Sequence, residues 1–196
     1  VTPYKIRMSW QPPGRSEPSA LPHVASHCRG ADVGGSVRAF VLDPGFVADC
    51  PYGPGALLID DIVSIDRDAG TIVARMPTRP DLPITRDQRT HPERHPAHVA
   101  AGLMIHATGI LGFAHAYFVL DLRCADGWIG YGTHIHNGRF RRMGKIGDPM
   151  LLACTCKQTR RIQASIFARY AFRFTQSDEL IYESEQSAVW SRVPPA

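Results

Sequence analysis

The chain has 196 residues, 44% hydrophobic and 20% charged, with a formal net charge of +4. That length supports one good hydrophobic core, and the composition is ordinary for a globular protein rather than a disordered or fibrous one. Basic residues are scattered among acidic ones with no aromatic-interleaved basic groove, so no nucleic-acid partner is expected.

Residues 1–45 carry Pro12, Pro13, Pro18, Pro22, Gly14, Gly30, Gly34 and Gly35 with weak periodicity. They read as an N-terminal wrapping or flexible extension, with a short strand expected over 37–42 and the folded domain over 46–192. Five cysteines, Cys28, Cys50, Cys124, Cys154 and Cys156, leave one over in any full pairing. Cys154 and Cys156 lack the C-x-x-C spacing of a redox or zinc site. Free thiols in a reducing compartment, and no charged-then-apolar signal at the start, point to the cytoplasm.

Alternation predicts a hairpin of strands 57–66 and 71–76 across the turn at Arg67 to Gly70, after which Pro77, Pro80 and Pro83 interrupt the sheet. Residues 99–119 contain no charge and no proline, and small residues recur on every side. A helix apolar all round is expected to be buried all round. The run just reaches membrane-span length, but its histidines, its glycines and the amphipathic strands downstream favour the interior of a curved sheet, so no membrane span is expected. Strands follow over 127–136, 149–157, 161–174 and 180–189. In the third, Ile162, Ala164, Ile166, Ala168, Tyr170, Phe172 and Phe174 share one side. The expected fold class is α+β, one long central helix wrapped by a curved antiparallel sheet, with a second subunit closing the side left open.

Three stretches resemble the hotdog superfamily, in particular its β-hydroxyacyl-acyl-carrier-protein dehydratase branch. They are Pro51-Tyr-Gly-Pro-Gly-Ala-Leu-Leu-Ile-Asp-Asp-Ile-Val-Ser-Ile-Asp66, Gly102-Leu-Met-Ile-His-Ala107 and Gly138-Arg-Phe-Arg-Arg-Met-Gly-Lys-Ile-Gly-Asp148. The resemblance covers about residues 48–192. It implies a hotdog fold, a homodimer with two acyl-thioester sites at the subunit interface, and acyl-CoA or acyl-carrier-protein substrates. It also implies a loop histidine acting next to the thioester carbonyl, a helix carboxylate handling the hydroxyl, and helix-start amides polarising the carbonyl. This chain carries His106 where the family has its acid.

The residues themselves nominate a site at the same place. A helix start offers unpaired amides and positive dipole to a thioester carbonyl, and Gly102 permits close approach. His106 lies about 40° round the helix from Gly102, and histidines can serve as acid and base near neutral pH. The candidate catalytic residues are therefore His95, His106 and His91. The candidate substrate-binding residues are Gly102 and His98, with Tyr52 and Arg142 added by resemblance. Thr108 is expected to bond back to the helix carbonyls, His98 to cap or shield the helix start, and His115 to be structural. The rival set His91-x-x-x-His95 with His134-x-His136 has imidazoles at metal-compatible spacing but lacks a carboxylate, and neither a metal nor a cofactor is expected. The leading expectation is a dehydratase or hydratase with a histidine-based site, the alternative a hotdog thioesterase or a non-catalytic acyl-thioester binder.

Overall fold

A computed structural model describes residues 42–193; the strand expected over 37–42 and the bulk of the N-terminal extension fall outside them. Asp43 opens helix α1 (Pro44–Asp49), its carboxylate accepting the Phe46 amide at 2.8 Å, with proline at the first helical position. The sequence reading missed this helix, although an Asp-Pro start is a recognisable signal.

Strands β1 (Asp61–Asp66) and β2 (Thr71–Met76) form the expected hairpin. Its turn closes on Gly70 at φ +61, a backbone value glycine adopts without strain. The β1 stretch starts later than expected, because Leu57, Leu58 and Ile59 are buried outside any strand. Helix α2 spans Ala101–Phe118. It is followed by β3 (Trp128–Phe140), β4 (Met150–Ile162), β5 (Ser165–Gln176) and β6 (Glu179–Arg192). The six strands form one antiparallel sheet in the order β1-β2-β4-β5-β6-β3, so β3 crosses over to the far edge to pair with β6. Ser177 and Asp178, both at positive φ, make the tight β5–β6 turn, the geometry that suits the twist of adjoining strands.

Alternation does what it was expected to do along most of β5: Ile166, Ala168, Tyr170, Phe172 and Phe174 are buried. Ile162 and Ala164 are corrections to that list, being exposed at the end of β4 and in the β4–β5 turn. The buried side of β5 continues through Met150, Leu152 and Cys154 of β4 into Ile72, Ala74 and Met76 of β2. Against it α2 lays Leu103, Met104, Ala107, Ile110, Leu111 and Ala114. By length and composition α2 could cross a membrane, but most of its surface is inside this core.

Burial all round is corrected by the structure. Ala101, Gly102, Ile105 and Gly109 form an exposed stripe, with Ile105 41% accessible, because a single sheet cannot reach the far side of the helix it wraps. The edge strand β3 is exposed along most of its length, Tyr131 and Ile135 included.

His115 fastens the last turn of α2 to the hairpin. Its Nε2–H donates to the Gly70 carbonyl at 3.0 Å, and the ring is fully buried against the edge of Tyr170. Burial lowers its pKa from 6.5 to about 4. The unfolded chain therefore binds this proton at a higher pH than the folded one, so the associated stability is complete above pH 6.5 and drains away as pH falls towards 4. Denaturant melts across that window should show a loss of about 3 kcal/mol from this group, and His115→Phe should flatten the profile there.

Candidate functional site

The start of α2 is held between two loops. On one side Val99 donates to the Gly144 carbonyl at 2.8 Å, and His98 forms an isolated bridge with Lys145. On the other, Gln88 imitates a strand. Its side-chain oxygen accepts the His98 amide at 3.2 Å, and its nitrogen donates to the His98 carbonyl at 3.0 Å. Thr85 Oγ1 accepts the Ala100 amide at 3.4 Å. These clamps stand where a side-chain cap would otherwise be: Ala100 is the N-cap and caps nothing. Among the described residues, no acceptor meets the Ala101 or Gly102 amides. They are open donors at the positive end of a helix of 18 residues.

Gly102 is exposed, and the nearest atom to a Cβ built there would be Ile84 Cδ1 at 3.8 Å. Beside it opens a cleft of about 340 Å3 lined by His98, Ala101, Met104, Phe140, Arg141 and Arg142, among others. Arg141 is ion-paired with Glu183, and Arg142 lies 3.6 Å from Glu179. These two arginines are thus partly neutralised by β6, while they still border the cleft.

His106 donates through Nε2–H to the Ala56 carbonyl at 2.9 Å. Its ring meets Tyr52 edge-on at 4.9 Å, and Tyr52 also touches Phe113 at 5.9 Å. A carbonyl can only accept, so Nε2 carries the proton and Nδ1 is left as an acceptor. Tyr52 and His106 are therefore brought together with the Pro54–Ala56 turn, with His106 about one helical turn on from Gly102, and neither lines the cleft.

The loop histidines are arranged differently. His91 and His95 pair through their backbones, at 2.7 Å and 3.0 Å, and His91 Nδ1 accepts the Glu93 and Arg94 amides. His91 is thereby engaged in its own turn. His95 is exposed and lies edge-on to His98 at 5.0 Å. His98 does not cap the helix; its Nδ1 meets the Pro96 carbonyl at 2.8 Å while the ring borders the cleft. Thr108 bonds back to Ile105 at 2.6 Å, as expected, and adds a bond to Gln186 Oε1 at 3.2 Å. The rival imidazole set stays dispersed. His134 and His136 stack on β3, and no group of three or more ligating side chains among the described residues could hold a metal ion. Cys50, Cys124, Cys154 and Cys156 are free thiols.

Sequence reasoning missed Gln88, Thr85 and Gln186. Their roles come from contacts across 10 to 78 positions, which no local motif announces. Gln88→Ala should cost about 1–3 kcal/mol and speed amide hydrogen exchange at His98, without touching the core.

No family model matches the chain, and no curated protein matches it. Solved structures do. A thioesterase mutant from Pseudomonas aeruginosa is 16% identical, over 76% of this chain and 92% of its own, with a TM-score of 0.51. A thioesterase from Haemophilus influenzae is 16% identical, over 76% and 90%, at 0.53. A dehydratase heterocomplex from Xenorhabdus doucetiae is 10% identical, over 78% and 93%, at 0.53. Identities this low speak to architecture, not chemistry. With its one long helix against a six-stranded antiparallel sheet, the chain has the hotdog fold.

Proposed function

We propose that the chain processes acyl thioesters, of coenzyme A or of an acyl carrier protein, and that its reaction is hydrolysis to the acid and the free thiol. The observation that carries this reading is the pair of open amides, Ala101 and Gly102, at the exposed start of α2. A thioester carbonyl seated there would develop its negative charge on an oxygen facing two N–H donors and the helix dipole. His106 lies one turn further on, with Nδ1 free to accept a proton from water. Water would attack the carbonyl carbon as its proton passes to Nδ1. The carbon–sulfur bond would then break, and the thiolate would leave and be protonated.

This order reverses the one expected from sequence, in which dehydration came first. Dehydration asks for a base at the α-carbon and an acid at the hydroxyl, and His106 stands where resemblance puts the carboxylate. With Nε2 engaged by Ala56, it offers one free nitrogen instead of two groups. Two of the three similar structures above are also thioesterases. Hydration remains the second reading, favoured by the register of Gly102-Leu-Met-Ile-His-Ala107 and by the dehydratase among those structures. Arg142 would receive the phosphates of the thiol carrier, and Tyr52 would hold the His106 ring. His95 and His98 would flank the entrance, with His91 shaping their loop.

The exposed stripe of α2 and the unpaired edge of β3 fit a second copy of the chain, which would cover both. Light scattering on purified protein should return twice the chain mass. Parallel assays of free-thiol release over a panel of acyl-CoAs and of crotonyl-CoA hydration test the chemistry. Thiol release without hydration is expected, and His106→Ala should lower kcat by about 10²–10⁴ with an unchanged circular dichroism spectrum. Hydration without thiol release selects the second reading, and binding without turnover a non-catalytic acyl-thioester binder.

A further inference from the structure

Strand β5 turns apolar side chains into the core up to Phe174, and the next position in that phase is Gln176, a buried amide at the end of the strand. Its Oε1 accepts the Lys145 amide at 2.8 Å, and its Nε2 donates to the Lys145 carbonyl at 2.9 Å and to the Asp148 carbonyl. The side chain is thus committed to the loop between β3 and β4.

That loop reaches the start of α2. Lys145 forms the bridge with His98, Gly144 accepts the Val99 amide, and a Cβ on Gly144 would come within 3.3 Å of the Val99 side chain. In a non-hydrogen-bonded antiparallel pair each residue turns its own N–H and C=O away from its partner. On the His98 side Gln88 takes both groups, and on the Lys145 side Gln176 takes both. Two glutamines therefore close the two edges of a single ladder, Gln88, His98, Lys145, Gln176, which stands immediately before the uncapped start of α2.

Burial decides which glutamine anchors it. Gln88 is partly exposed and lies in a loop, whereas Gln176 is 5% accessible and belongs to a strand inside the sheet. The first turn of α2 has no capping side chain to hold its amides, so their direction follows the backbone ahead of them.

We propose that Gln176 is a positioning residue for the thioester site: through Lys145 and His98 it aims the Ala101 and Gly102 amides. The proposal rests on the hydrolysis reading for what those amides do, and on the ladder for how they are held.

The test follows kcat of thiol release from an acyl-N-acetylcysteamine, a thioester without phosphates, so that Arg141 and Arg142 on the same loop take no part through the carrier. Gln176→Met keeps the size of the side chain and removes its bonds. It should lower kcat by about 10–10²-fold, the scale expected when reacting groups are misplaced by about 1 Å, and should move the Ala101 and Gly102 amide resonances. Thr78→Val is the comparison, because the buried Thr78 hydroxyl bonds the Asp148 carbonyl of that loop and does not reach Lys145. It should leave kcat near the wild-type value and both resonances in place, although it too loosens the loop. Unchanged kcat in Gln176→Met, unchanged Ala101 and Gly102 resonances, or an equal loss of kcat in Thr78→Val would each overturn the proposal. Should Gln176→Met fail to fold, hydrogen exchange in the wild-type protein decides. The His98, Val99 and Lys145 amides should share one protection factor, as parts of a single opening unit, and separate factors would overturn the ladder. Wild-type protein that releases no thiol overturns the hydrolysis reading, and the amide resonances and protection factors then decide the positioning on their own.

Discussion

Between Ala101 and Phe118 the polar side chains are His106, Thr108, His115 and Tyr117, and each is tied to a different part of the molecule. His106 reaches the Pro54–Ala56 turn, Thr108 reaches Gln186 of β6, His115 reaches the β1–β2 turn and Tyr117 reaches the Asp43 cap of α1. Burying a polar group without a partner costs more than a typical hydrogen bond returns, so an apolar helix with Thr108 and His115 buried, and His106 and Tyr117 half-buried, fits its surroundings in one rotation and one register. Everything else is arranged about that register. The apolar faces of β2, β4 and β5 cover the sides of α2 that these four bonds leave for packing.

The same register defines the open side. Once His115 and Thr108 are inside, Gly102, Ile105 and Gly109 must face away from the sheet, and the uncapped amides of Ala101 and Gly102 go with them. A polar side chain at Ala100 would have been placed to take the Gly102 amide. Gln88 and Thr85 hold the preceding backbone in place without doing so, which separates the task of fixing the helix start from the task of satisfying it.

The large features were legible because they follow from patterning along the chain. The long charge-free, proline-free run of α2 and the period-two run of β5 announce a helix and a strand whatever their partners are. Glycine and proline marked the turns around β1 and β2. The losses have physical causes too. Leu57 to Ile59 read as strand because they are apolar, yet they are buried without pairing, and apolarity does not distinguish the two. Ile162 followed the alternation but fell beyond the helix it would have covered. At the site, histidines stood out as residue types, whereas their roles depended on which carbonyl each found. His106, His98 and His115 all meet main-chain oxygens, a choice that spacing along the chain does not encode.

Among the described residues strand β3 pairs only with β6, Trp128 opposite Arg192 and Phe140 opposite Tyr182. On the ribosome it therefore emerges well before the strand that receives it, with β4 and β5 still to be made. At about 5–20 residues per second that interval is on the order of seconds, long compared with hairpin formation at about 1–10 μs. The β4–β5 hairpin can close during the wait, while β3 stays unclaimed until the last strand arrives. Nascent chains are thus exposed to mispairing through this segment, and a truncation that removes β6 would leave the protein with an orphaned strand instead of a smaller sheet.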